Sequence, residues 1–228
     1  MWFTGWGIDI DSIMLYKGIS IYSGWGGFTL VSNFYRLKLL NAILYFAHNT
    51  KRLNLTKLLK LLYFLDFTHF RQTGYPSLNL LYYSWNRGPV PKDFYEEIKG
   101  NRVPDDFSGE FAIIPSERWE RTHTERKESL FKAISKPDLG VFTPRELEIM
   151  QNLSDIYRDA AAKDMSEITH LPQTPYDVTI RTKGLYKYID YLLCVDNPSP
   201  EKLGEISEKL EAHFEILENF DLRPCGGK

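Results

Sequence analysis

From Phe34 onward, apolar side chains return every three or four residues: Leu37, Leu40, Ile43, Leu44, Phe46 and Ala47. That spacing follows the helical repeat and predicts an amphipathic helix over 34–49. A second run, L-T-K-L-L-K-L-L-Y-F-L-D-F-T-H-F-R-Q-T, covers 55–73. Asn54 or Thr56 can cap its start, and Gly74 supplies a left-handed stop. Leu58, Leu59, Leu61, Leu62, Phe64, Leu65 and Phe67 occupy more than one of its faces, which predicts a central helix packed on several sides.

The chain then changes character. Tyr82, Tyr83 and Trp85 favour a short strand over 80–85, followed by a rigid turn, N-R-G-P-V-P, over 86–91. Pro89 pushes Gly88 towards extended geometry, and Pro91 suits the first turn of a helix over 92–99. Short alternations at 110–114 and 130–134 predict a small sheet or hairpin. Thr143 and Pro144 have the chemistry of an N-cap and first helical position, opening a helix that buries Leu147, Met150, Leu153, Ile156 and Tyr157. A short helix ending at His170, another over 184–195 and a last one from Ser199 and Pro200 to about 220 complete the reading. The last carries Leu203, Ile206, Leu210, Phe214 and Leu217 along one stripe. The fold class expected is α+β, predominantly α-helical: a central apolar helix packed by other helices, with a small β element.

Residues 1–33 fit none of this. They hold Trp2, Trp6 and Trp25, broken by glycines, with no periodicity long enough to place them. Two readings are open: a β-like or partner-binding extension, or an upstream extension of the reading frame with the native start near Val31. The expected organisation is therefore an extension over 1–33, a domain over 34–195, and an acidic helix and tail over 196–228 packed on that domain.

Composition is that of a globular protein, 43% hydrophobic and 25% charged, and a net charge of −2 gives no general attraction to nucleic acid. No stretch approaches the apolar length of a membrane span. Cys194 and Cys225 make no disulfide framework, so a reducing cytoplasm is the simplest compartment. Charge is uneven: residues 34–72 set seven basic groups against Asp66, and residues 196–221 set eight acids against two lysines. Either the two ends neutralise each other, within the domain or across a dimer, or the basic stretch docks an acidic partner.

Catalytic signatures are missing. There is no phosphate-binding glycine loop, no G-x-S-x-G, no H-E-x-x-H and no C-x-x-C, and the five histidines are scattered. No cofactor and no metal are expected. Asp66 and His69 share a helix face at i and i+3. They either tether a neighbouring loop, such as the 86–91 turn, or serve as a general base or metal ligand in a small hydrolase. Arg87 is either a surface turn residue or a fork for a carboxylate, that of Asp66 or of a partner. Tyr63 and Trp85 are core aromatics first, and interface residues where exposed. His170, at a helix C-terminus, is expected to favour its protonated form and to lock the following loop.

The run K-L-L-Y-F-L-D-F-T-H-F over 60–70, Gly74, Y-S-W-N-R-G-P-V-P over 83–91 and D-F-Y-E-E-I over 93–98 together resemble the N-terminal core of the SocA-like, Panacea-domain antitoxins. The segment 142–170, from F-T-P-R-E-L-E to S-E-I-T-H, is similar to that family's second half. Where the family usually has Pro-Trp, this chain has Pro175 and Tyr176. The resemblance covers about 35–195. It implies a bacterial or phage antitoxin that neutralises a co-encoded toxin by direct contact, or an adaptor that delivers the toxin to a cytosolic protease. Lys57, Tyr63, Asp66, His69, Trp85, Arg87, Gly88, Pro89 and His170 are the candidate partner-binding or structural-motif residues. The partner implied is the toxin, with a protease complex and a second copy of the chain also open.

Overall fold

A computed structural model describes residues 28–116, 129–196 and 198–219. The expectations for Trp2, Trp6, Trp25, Phe220 and Cys225 fall outside the described residues. Helix α1 runs Phe28–Asn49 and α2 runs Leu55–Thr73, followed by strands β1 (Tyr82–Trp85) and β2 (Gly88–Pro91) and helix α3 (Lys92–Ile98). Strands β3 (Phe111–Pro115) and β4 (Ser129–Ala133) precede helices α4 (Pro144–Tyr157), α5 (Ala162–Thr169), α6 (Pro175–Lys183) and α7 (Pro200–Asn219). The fold is α+β and predominantly helical, with two antiparallel two-stranded sheets among the described residues.

The central position of α2 follows from its caps and its composition. The Asn54 side chain accepts from Lys57 N at 2.9 Å, and Gly74, at φ +84°, closes the far end by donating to Phe70 O. Between them Leu58, Leu61, Leu62 and Leu65 are fully buried. Burying a leucine is worth roughly 1.5–3 kcal/mol, so this face anchors the core. One side of α2 joins α1, α4 and β4 in a mixed cluster of leucines, isoleucines and phenylalanines. The other meets an aromatic cluster of Tyr63, Phe67, Phe70, Tyr82, Tyr176 and Tyr191.

Several elements differ from the sequence expectation. Helix α1 begins six residues before Phe34, so the boundary drawn at residue 33 lies inside a helix. Leu37 is 44% exposed, but Ile43, Leu44 and Phe46 of the expected stripe are buried together with Leu39, Ala42 and Tyr45, so the covered face of α1 is wider than that stripe. In α4 the buried side is Glu146, Ile149, Met150, Leu153 and Ser154, and Ile156 is exposed.

The 86–91 turn is instead a tight hairpin. Trp85 pairs with Gly88, so only Asn86 and Arg87 form the loop, and Gly88 stands at φ +101° rather than extended. Pro91 precedes α3 as its N-cap residue. The 184–195 stretch is not a helix. Tyr186 N and Ile189 N donate to Ser84 O and Tyr82 O, so 184–189 lies along β1, and only Tyr191–Cys194 turns into a 3-10 segment. Helix α6, opened by Thr174 as N-cap and Pro175, replaces the loop expected after His170.

Basic groups near the start pair mainly with acids other than those of the last helix. Arg36 meets Glu97 and Asp106, Lys38 meets Glu146, and Lys51 meets Asp159. Among the described residues only the Arg71–Asp196 contact, 2.5 Å, joins the two charge-biased stretches. The stretch is not a continuous basic surface either, since Lys57 and Lys60 are each 1% exposed.

Candidate functional site

Two lysines one helical turn apart on α2 are buried, and their surroundings differ sharply. Lys57 Nζ donates to three carbonyls, Lys51 O, Arg158 O and Ala160 O, at 2.9–3.1 Å. That uses its full donor capacity and ties α2 to the chain on either side of it. Lys60 Nζ donates to Pro89 O at 2.9 Å, and among the described residues nothing else accepts from it. Burial pushes its pKa down to about 7.

Lys60 lies beside the hairpin because Gly88 has no side chain. A Cβ at Gly88 would stand 2.7 Å from Lys60 Nζ and 2.6 Å from Thr169 Oγ1. Around this point opens a groove of about 430 Å³, lined by Leu55, Leu59, Lys60, Trp85, Arg87 and Val90, with Thr56, Asn86, Tyr95 and Tyr186 completing it. The Trp85 ring meets Tyr95 edge-on at 5.0 Å and Tyr186 at 6.1 Å. Tyr186 is 60% exposed and holds φ +60°, a left-handed backbone that an aromatic side chain rarely adopts. Its N–H donates to Ser84 O at 2.6 Å, and Lys187 N donates to Ser84 Oγ at 3.0 Å, which fixes the turn against β1. Tyr176 Oη donates to Trp85 O at 2.8 Å and steadies the hairpin from beneath. The groove is thus a rigid, aromatic-walled opening with two cationic side chains and no carboxylate in its lining.

The sequence candidates divide between this groove and the core. Trp85 and Arg87 line it, with Arg87 exposed at the tip; among the described residues its guanidinium makes no hydrogen bond or ion pair, and it does not reach Asp66. Gly88 and Pro89 are not in its lining but lie beside Lys60, whose Nζ donates to Pro89 O. His170 lies just outside, its ring edge-on to Tyr176 at 4.6 Å. Burial, then the nearby Lys60 charge, lowers the His170 pKa, the opposite of the protonation expected from a helix terminus.

Lys57, Tyr63, Asp66 and His69 are interior. Tyr63 packs at 4.3 Å on Phe67. Asp66 is wholly buried and accepts from Leu78 N at 2.5 Å and from Tyr82 Oη at 3.0 Å. Tyr191 Oη, 2.6 Å from Leu80 O and 3.2 Å from Asp66, completes the cluster. Burial raises Asp66 to about 6 even though these bonds favour its charged form. His69 Nδ1 donates to Tyr75 O at 2.7 Å, and burial lowers its pKa. Asp66 and His69 therefore each hold the 75–80 segment rather than each other or the 86–91 turn.

Cys194 Sγ lies 3.4 Å from Phe67 O, and burial pushes its thiol up to about 12, which suits packing rather than nucleophilic attack. Among the described residues no group of three or more His, Cys, Asp or Glu side chains is placed to hold a metal ion, and no helix is long and apolar enough to cross a membrane.

Sequence reasoning left out Lys60, Tyr95, Thr169 and Tyr186. For Lys60 the signal was a cation on a helix whose every face is apolar. For the others there was none, since they meet the hairpin only through the tertiary fold. A family model described as "Antitoxin SocA-like, Panacea domain" matches residues 58–175, more than half of the chain, from within α2 to the start of α6. No curated protein and no solved structure matches the chain.

Proposed function

The chain belongs to the SocA-like, Panacea-domain antitoxin family, and from that premise we propose that it neutralises a co-encoded toxin protein by binding it directly, without catalysis of its own, in the cytoplasm. The contact face is the hairpin groove. What supports this choice is the set of side chains presented there: Trp85, Arg87, Tyr95 and Tyr186 on a fixed framework. Tryptophan, tyrosine and arginine are the residues that most often dominate binding energy, and rigid anchors lose little entropy on association. Asp66 and His69 are committed to the 75–80 segment, which disfavours their use as a hydrolytic pair.

The test is co-expression. The neighbouring gene is induced with the wild-type chain, with Trp85→Ala, with Arg87→Ala or with Lys163→Ala, an exposed control outside the groove's lining. Growth should be restored, with a stable complex, by the wild type and the control and not by the two groove variants. Restored growth with disappearance of the partner would replace neutralisation by delivery to a protease. Full rescue and complex formation by both groove variants would remove the groove as the interface.

A further inference from the structure

The contrast between the two buried lysines carries a statement about what the groove recognises, and it rests on the antitoxin reading above. Lys57 has as many acceptors as protons, so it is a structural cation. Lys60 is equally buried, but among the described residues it has a single acceptor and no carboxylate lines the opening beside it. A buried ammonium without a full set of acceptors or a counter-charge is costly. Among the described residues the other charged or titratable groups beside it are Arg87 from the hairpin, His170 after α5 and the tyrosines Tyr95 and Tyr186, and none is a carboxylate. The left-handed Tyr186 is a further departure from easy backbone geometry at this groove.

We infer that the groove receives an acidic side chain of the partner protein, a Glu or Asp next to an aromatic residue. Its carboxylate is taken by Lys60 and Arg87, and the neighbouring ring lies among Trp85, Tyr95 and Tyr186. A side-chain carboxylate fits better than a chain terminus. Terminal carboxylates are captured by nests of backbone N–H groups, whereas the donors here are two side-chain cations. The lowered pKa of Lys60 is consistent with this assignment, because an arriving anion would supply a counter-charge that the described residues do not provide.

Three peptides test this on the full chain: Ac-Ala-Phe-Glu-Ala-NH2, its Gln counterpart, and the Gln peptide with a free C-terminal carboxylate. Binding is followed by NMR at the Trp85 indole N–H, assigned with Trp85→Phe. The Glu peptide should bind at least about tenfold more tightly than the neutral Gln peptide. The advantage should vanish in Lys60→Met and in Arg87→Ala, the latter an exposed change that leaves the core untouched. Equal binding of Glu and Gln peptides, or no binding of either at millimolar concentration, overturns the proposal. Tighter binding of the free-terminus peptide than of the Glu peptide overturns the choice of a side-chain carboxylate. The same variants are mixed with the co-encoded toxin. If the wild type binds the toxin and the variants bind it equally well, acidic recognition falls and the antitoxin reading stands. If the wild type does not bind the toxin, the antitoxin reading itself falls.

Discussion

Replacing Lys60 by methionine should make the protein more stable while removing its binding partner, an outcome opposite to that of most core substitutions. Lysine normally titrates near 10.5 and Lys60 near 7, so between these values the unfolded chain binds more protons than the folded one. Stability from this group therefore rises with pH across that window and is lowest below it. At pH 7 the unfolded lysine is fully protonated and the folded one about half, a cost on the order of 4 kcal/mol. Methionine removes that cost but leaves Pro89 O without its donor, worth about 1–3 kcal/mol. The net expectation is a variant about 1–3 kcal/mol more stable at pH 7. Near pH 9.5 the cost falls to on the order of 1 kcal/mol, and the advantage should disappear. Urea unfolding of both proteins at several pH values measures this directly. A methionine variant that is less stable at pH 7, with a difference that does not change with pH, would refute the claim that Lys60 is an under-compensated buried charge.

Lys57→Met should behave in the reverse manner: it leaves Lys51 O and Ala160 O without this donor, while Arg158 O keeps the Lys51 N–H, and a loss of about 2 kcal/mol or more in urea unfolding is expected, since each unmet acceptor costs about 1–3 kcal/mol. Gly88→Ala forces a Cβ to 2.6 Å from Thr169 Oγ1 at φ +101° and should destabilise by about 2–3 kcal/mol. Part of that loss should return in the double variant with Thr169→Ala, and thermal melts of the four proteins decide it. Asp66 titrates near 6 when folded and near 3.8 ordinarily. The folded state thus binds more protons in that interval, and this group's contribution falls by about 2 kcal/mol as pH rises from about 4 to about 6. Asp66→Asn should abolish that component of the pH profile, and an unchanged slope would assign it elsewhere.

Much of the scaffold was legible because it rests on local chemistry. Asn54, Gly74, Thr143 and Pro144 mark helix ends by hydrogen-bonding capacity and backbone preference, and they occupy those positions in the structure. Thr174 and Pro175 carry the same signal, yet periodicity passes over α6 because it is short and buries Tyr176 and Thr179 rather than an apolar stripe. The apolar run at 184–195 satisfies a helical pattern, but its backbone finds partners on β1 instead, so tertiary pairing overrides the local preference. Trp85 and Arg87 were identifiable as residue types suited to binding. Their assembly with Lys60, Tyr95 and Tyr186 was not, because it depends on a hairpin register and on Gly88 admitting the lysine.

The central claim, that the groove beside Lys60 is where the toxin binds, is tested most directly by titrating the purified co-encoded toxin against the wild-type chain and Arg87→Glu. Arg87 is exposed, so the fold should be retained, while an acid at the groove mouth would repel the carboxylate it is proposed to receive. A loss of affinity of at least about 30-fold is expected, the scale of a binding hot spot. An Arg87→Glu protein that binds the toxin as tightly as the wild type would contradict it.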